Sequence, residues 1–297
     1  MARRGWQRRQ AGRVMLGGFQ RLFSLRRALR PTVSATIKLS SPATREFWEI
    51  PILHEDAHLL ALDKPSGLLT SPDRNQPDRP SLTNLLHEGI ERGTAWARES
   101  GRTYLMPAHR LEAEISGVIL LAKSKVVLIA LANLFGSEKA GRNYVALVQG
   151  APAADQFRVD AKLAPHPMRH WIMRVNPTGG KRSTTAFEVR ERFSGCTLLQ
   201  CQLLTDRPHQ IRVHLRHIGL PVVGDQLYGG RPLLLSRIKP VYQLKPNQTE
   251  RPLVSRPALH AEALTLPHPV TGDLLTITAP WPKDLTVAVK YLRRYAG

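Results

Sequence analysis

The chain has 297 residues, of which 42% are hydrophobic and 22% charged, the composition of a soluble globular protein with length for one large domain or two ordinary ones. No apolar run approaches the ~18–20 residues a bilayer-spanning helix needs, so a helical membrane protein is excluded. The formal net charge of +20, with a pI near 10.9, points to a polyphosphate partner, with nucleic acid first and an anionic membrane surface second.

The charge is uneven. Residues 1–45 contain eleven Lys and Arg and no acid, the first carboxylate being Glu46. They read as a basic, flexible N-terminal extension that could serve as an RNA-binding arm, an organelle transit peptide, or an upstream extension ahead of an internal start at Met15. A membrane-surface role would rest on this arm alone. Residues 46–297 show no repeat and no clean linker, and read as one α+β domain with a mixed, mostly antiparallel sheet and flanking helices.

In chain order, IPILHEDAHLLALDK reads as two short strands joined through a polar turn, followed by the turn formers Pro65-Ser66-Gly67. Leu82, Leu85, Leu86 and Ile90 recur at helical spacing behind Ser81. PAHRLEAEISGVILLAK sets a polar head before a buried-strand run, a place where sites are commonly built. Ser124 caps a helix that ends at Gly136, and NYVALV from Asn143 is a strand. Residues 151–181, rich in Pro, Gly, His and Arg, read as a surface hairpin excursion.

TTAFEVRER alternates as a half-buried strand, with CTLLQCQLLT as its partner. Cys196 and Cys201 are five apart, on opposite faces of that strand, so they cannot pair within it; they also lack zinc-site spacing. Both read as core filler in a reducing, cytoplasmic compartment. Ile211, Val213, Leu215 and Ile218 cannot all share one strand face, so a helix is expected from near His209 to His217. Residues 231–257, with five prolines, read as a long surface loop. LHAEALTL and LLTITAP form a hairpin, and WPKDLTVAVKYLRRYA closes the chain as a helix with proline at its start.

Three segments carry the chemistry: PAHRLEAEISGVILLAK, RNYVALVQG, and LLTDRPHQIRVHLRHIGLPVVGDQLYGG. Together with LDKPSGLLTSP and LHAEALTLPHPVTG, they resemble, in order and spacing, the RluA-type RNA pseudouridine synthases over residues 50–280. The resemblance implies the pseudouridine synthase fold and isomerisation of uridine to pseudouridine in ribosomal or transfer RNA. It implies no cofactor and no metal. Consistent with the last point, His209, His214 and His217 lack the i, i+4 spacing of a helical zinc pair. The family's ribosomal-protein-like N-terminal domain is not visible in the sequence. A monomer is expected.

The same resemblance implies site residues. Glu112 stands where the family has its catalytic aspartate, Tyr144 matches the tyrosine that packs on the base, and Arg212 matches the arginine that pairs with the carboxylate. His109 and Arg110, and then Arg207, His209 and Gln210, are implied to bind substrate. The departures are Glu112, Ile115 in place of threonine, and Asp206 in place of glycine. Glutamate keeps the charge but displaces it by ~1–1.5 Å, and a misplacement of about 1 Å can cost ~10²-fold in rate. Two readings therefore stand: an active synthase, or a catalytically impaired RNA-binding paralogue. Glu114, expected on the same strand face as Glu112, and Asp206 are the acids that could substitute.

Overall fold

The computed structural model describes residues 35–244 and 247–297; the arm, transit-peptide and internal-start readings fall on residues 1–34, outside that range. Strand β1 (Thr36–Ser41) corrects the domain boundary expected at residue 46. It pairs antiparallel with β2 (Glu46–Glu55), from Thr36↔Pro51 to Ser41↔Glu46, and buries Ile37 and Leu39. The alternation of TIKLSS is the pattern of a half-buried strand, and the surrounding positive charge masked it.

The Asp56 carboxylate accepts the amides of His58 and Leu59 at 2.7 and 2.8 Å, closing the turn into β3 (Leu59–Lys64). Ser81 caps α1 (Leu82–Glu91) by accepting the Asn84 amide, and the short α2 (Ala95–Arg98) follows. β4 (Met106–Pro107) and β5 (Ser116–Ala122) flank the polar head, and β5 is buried at every position. Ser124 caps α3 (Lys125–Gly136), and β6 (Gly141–Gln149) contains the expected strand.

Residues 151–181 do more than form a surface excursion. They contain β7 (Gln156–Pro165) and β8 (Met173–Val175), and β7 pairs along β9 (Lys181–Phe193) from Gln156↔Glu188 to Leu163↔Lys181. β10 (Cys196–Leu203) is the expected partner of β9, and its two cysteines are buried and unbonded. α4 (Gln210–His217), the hairpin of β11 (Leu259–Pro267) and β12 (Leu274–Thr278), and α5 (Lys283–Tyr295) complete the chain. The loop of residues 231–257 is anchored, because Leu233 and Val254 are buried in the main core.

The strands form one sheet ordered β1-β2-β3-β5-β11-β6-β10-β9-β7-β8, with β12 on β11 and β4 on β5. Among the described residues, β5 and β11 are the one parallel pair, so the sheet is mixed and mostly antiparallel, as expected. That parallel contact is unusually close. Gly117 has φ +120°, and a Cβ there would lie 2.1 Å from the Ala261 carbonyl oxygen. Beside it, Ser116 Oγ and His260 Nδ1 share a hydrogen bond of 2.9 Å. The chain thus enters the middle of the sheet immediately after the segment that carries Glu112.

Candidate active site

Residues 108–115 form an irregular turn ahead of β5, so Glu112 and Glu114 are not strand neighbours as expected. The turn is held by its backbone. Thr70 Oγ1 donates to the Leu111 carbonyl at 2.8 Å and accepts the Leu111 amide at 3.1 Å. The Gly67 amide and Lys64 Nζ both donate to the Ala113 carbonyl, at 2.7 and 3.3 Å. Ser66 Oγ and an Arg256 nitrogen donate to the Glu114 carbonyl, at 2.8 and 3.4 Å. LDKPSGLLT is therefore the clamp that fixes Glu112, a role its residue types did not announce.

Lys64 is fully buried and its ammonium also donates to the carbonyls of Pro65 and Leu68, each at 2.8 Å. Burial pushes its pKa down to about 7, with the charges of Arg256 and Arg79 adding to the effect. An unfolded lysine titrates near ~10.4. Between these values the unfolded chain holds a proton that the folded chain has released, so stability rises with pH across this window. Lys64→Met is expected to flatten that rise. Urea denaturation of both proteins at about pH 7 and about pH 9.5 checks it, and parallel profiles would refute it.

Arg212 lies on α4, whose residues Gln210 to Leu215 are all buried. Its Nε and Nη2 donate to the two oxygens of Asp225, each at 2.7 Å, and Asp225 is itself wholly buried. Its remaining nitrogen, Nη1, donates to Glu112 Oε2 and lies 3.4 Å from Glu114 Oε2. Burial alone would lower the Arg212 pKa; the hydrogen bonds and charges of Asp225 and Glu112 outweigh it and hold the pKa raised. Asp225 orients the guanidinium, and the guanidinium orients Glu112. Glu112 Oε1 has no hydrogen-bond partner among the described residues, so one carboxylate oxygen is held and the other is available.

Asp225 is presented by the tight turn of GDQLYGG. A Cβ at Gly230 would lie 1.8 Å from the Val222 carbonyl oxygen, so only glycine allows that approach. The same turn places Tyr228 with its ring 5.0 Å from the Arg212 guanidinium carbon. Tyr228 Oη shares a 2.6 Å hydrogen bond with His209 Nδ1, and His209 Nε2 lies 3.7 Å from Glu112 Oε2. His209 has φ +56°, a left-handed conformation that swings the chain into α4. Burial lowers its pKa, and the charge of Glu112 opposes the shift.

Glu112, Tyr144, Arg110, Arg207, His209 and Arg212 line one open cleft of about 840 Å³. Tyr144, on β6, is half-buried there, and burial followed by the charge of Asp206 raises its phenol pKa. Asp206 is engaged elsewhere, in a 2.7 Å ion pair with Arg142. Glu114 is the more exposed of the two acids at Arg212 and is second to Glu112 in contact.

Two of the expected substrate-binding residues have their polar groups engaged by the protein itself. His109 is turned away from the cleft: its ring packs 5.0 Å from that of Phe135, and its Nε2 accepts the Leu120 amide at 3.0 Å. Loss of hydration pushes its pKa down to about 3, so it is a neutral acceptor that ties the polar head to β5. Gln210 lies at the cleft wall, but its amide donates to the Thr184 carbonyl and Thr185 Oγ1, at 2.9 and 3.0 Å, and accepts from Thr205 Oγ1 at 2.9 Å. Those bonds leave it a brace between α4 and β9. Asp225, Tyr228 and Thr70 were not foreseen; the signal available was the charge an arginine on a buried helix must find.

Residues 58–217 match the family model for RNA pseudouridylate synthases. The chain is 34% identical over 264 residues to ribosomal large subunit pseudouridine synthase D of Xanthomonas campestris, covering 88% of this chain and 76% of that protein. It is 36% identical over 250 residues to the protein of the same name from Xylella fastidiosa, covering 82% and 70%. Among solved structures, human RNA pseudouridylate synthase domain containing 4 shares the fold, with a TM-score of 0.63 at 21% identity over 82% of this chain and 92% of that one. With that match over most of its length, the chain belongs to the RNA pseudouridylate synthase family.

Proposed function

We propose that this protein isomerises uridine to pseudouridine in ribosomal RNA, with Glu112 as the working carboxylate. The carrying observation is that Glu112 and Arg212 line one cleft with Tyr144, and that the buried Asp225 holds Arg212 against Glu112. The reaction breaks the bond between ribose C1′ and uracil N1, turns the base, and forms a bond from C1′ to C5. The C5 proton is lost and N1 gains one, so nothing is added or removed overall. Glu112 Oε1 faces C1′ as nucleophile or base while Arg212 holds the other carboxylate oxygen and aims the group. Tyr144 packs on the uracil of a nucleotide flipped out of its stack. Arg110 and Arg207 meet the phosphates.

Ribosomal RNA is favoured over transfer RNA because the relatives named above are large-subunit synthases, and the protein would then act in the cytoplasm. Purified protein incubated with unmodified ribosomal RNA is expected to produce new carbodiimide-reactive positions, read by primer extension. Their absence, where a related synthase works on the same RNA, overturns the proposal.

The competing reading, an RNA-binding paralogue without catalysis, draws on Glu112 in place of aspartate. Its motive was a carboxylate out of position, and Glu112 reaches the guanidinium from a clamped turn. Activity in the parent ends that reading; activity that appears only in Glu112→Asp would establish it.

A further inference from the structure

We infer that Trp171 is a stacking platform for a nucleobase next to the target uridine, and so a specificity-determining residue; this rests on the RNA reading above. The cleft is larger than its floor requires. At about 840 Å³ it lies at the large end of the ~300–1,000 Å³ typical of small-molecule sites, with room beyond one nucleotide. Trp171 lines it from the loop between β7 and β8 and is 68% exposed. An indole left in water at the mouth of a functional cleft is an apolar surface awaiting a partner.

The loop that carries the ring is anchored along its backbone. His166 Nδ1 accepts the amides of Met168 and Arg169 at 3.2 and 3.3 Å, and the Ile172 amide donates to the Arg169 carbonyl at 2.8 Å. The two residues after Trp171, Ile172 and Met173, are buried against Val213 of α4 and Tyr228. The Met173 amide donates to Tyr228 Oη at 2.9 Å, the same oxygen that bonds His209 beside Glu112. Trp171 is thus tied by two residues of backbone to the network that places the carboxylate.

The charge around it fits a nucleic acid chain. Arg74 and Arg110 line the cleft, Arg169 is exposed in the same loop, and none of the three has an ion-pair partner among the described residues. A flat aromatic face in one cleft with unpaired guanidinium groups is the pairing of base stacking with backbone neutralisation used on single strands. Stacking on any base is tolerated; what a ring on an anchored loop selects is whether a base stands beside the target and can be splayed against it.

The test compares full-length protein with Trp171→Ala and Trp171→Phe, on ribosomal RNA for turnover and on a fluorescein-labelled single-stranded RNA nonamer with a central uridine for binding. Trp171→Ala is expected to raise KM and Kd by about 5- to 150-fold, the loss of one stack, with kcat changed less than about threefold. Trp171→Phe is expected to recover most of the loss. A second nonamer with abasic sites on both sides of the uridine should bind the parent as weakly as the intact nonamer binds Trp171→Ala, and the variant should not distinguish the two. Equal KM for parent and Trp171→Ala, or undiminished preference of the variant for the intact nonamer, overturns the inference while leaving pseudouridine formation standing. A change in oligomeric state with unchanged KM would assign the indole to a protein contact. If the parent binds neither RNA and forms no pseudouridine, both readings fall together.

Discussion

Arg212→Met is expected to abolish pseudouridine formation and to destabilise the fold by about 3–5 kcal/mol, the cost of leaving one member of a buried ion pair alone. The size follows from Asp225. That carboxylate is fully buried, and besides the two Arg212 nitrogens its contact is the Tyr228 amide at 3.3 Å. Against a total stability of about 5–15 kcal/mol for a protein domain, such a loss is a large fraction. Urea denaturation and a turnover assay on the same preparation separate the two effects.

A second substitution makes the test sharper. Adding Asp225→Asn to Arg212→Met removes the stranded charge and is expected to return part of the stability, because a buried unpaired amide costs less than a buried unpaired carboxylate. It should return none of the activity, since the guanidinium that holds the Glu112 carboxylate is still missing. Recovery of turnover in the double variant would show that Arg212 acts only through folding.

Glu112→Gln is expected to lower turnover by about 10²–10⁴-fold or more, the range for removing a positioned acid or base. The amide keeps the length and one oxygen for Arg212, so the change isolates charge from shape. Stability should move by no more than about 1 kcal/mol: Glu112 is part-exposed, where solvent screens the pair, and Arg212 keeps Asp225. Glu114→Gln is the internal comparison, as its Oε2 lies 3.4 Å from the same nitrogen but the side chain is 54% exposed. It should retain activity within several-fold. If Glu114→Gln were the inactive variant and Glu112→Gln the active one, the working carboxylate would be Glu114.

The two acids show how far spacing carries. Placing both on one face of a strand assumed that the buried run began before Ser116, whereas the strand starts there and the acids sit in the turn ahead of it. The convergence of Glu112 with Arg212 was legible all the same, because the family resemblance implied it for two positions 100 apart in the chain. His109 shows a different limit. A histidine beside an arginine at a strand mouth reads as a ligand contact, but which way the ring turns depends on Phe135 of α3 and the free amide of Leu120.

Periodicity served well where it was local. The caps at Ser81 and Ser124, the buried run of β5, the hairpin of β11 and β12 and the last helix follow from residue type and neighbours alone. β1 was lost beneath positive charge, and β7 beneath a run of Pro, Gly and His at its far end.

Chain length, charge and a few short motifs sufficed for the α+β class and the RNA family, since each is encoded within one segment or in the order of segments. The partners of the site residues were not encoded that way. Asp225 is selected by the geometry of a buried guanidinium, and Lys64 and Thr70 by the carbonyls of a turn 49 and 41 residues on. Burial turns such contacts into requirements, because an ionised or polar group out of water must be matched, and only the packed chain says by which residue.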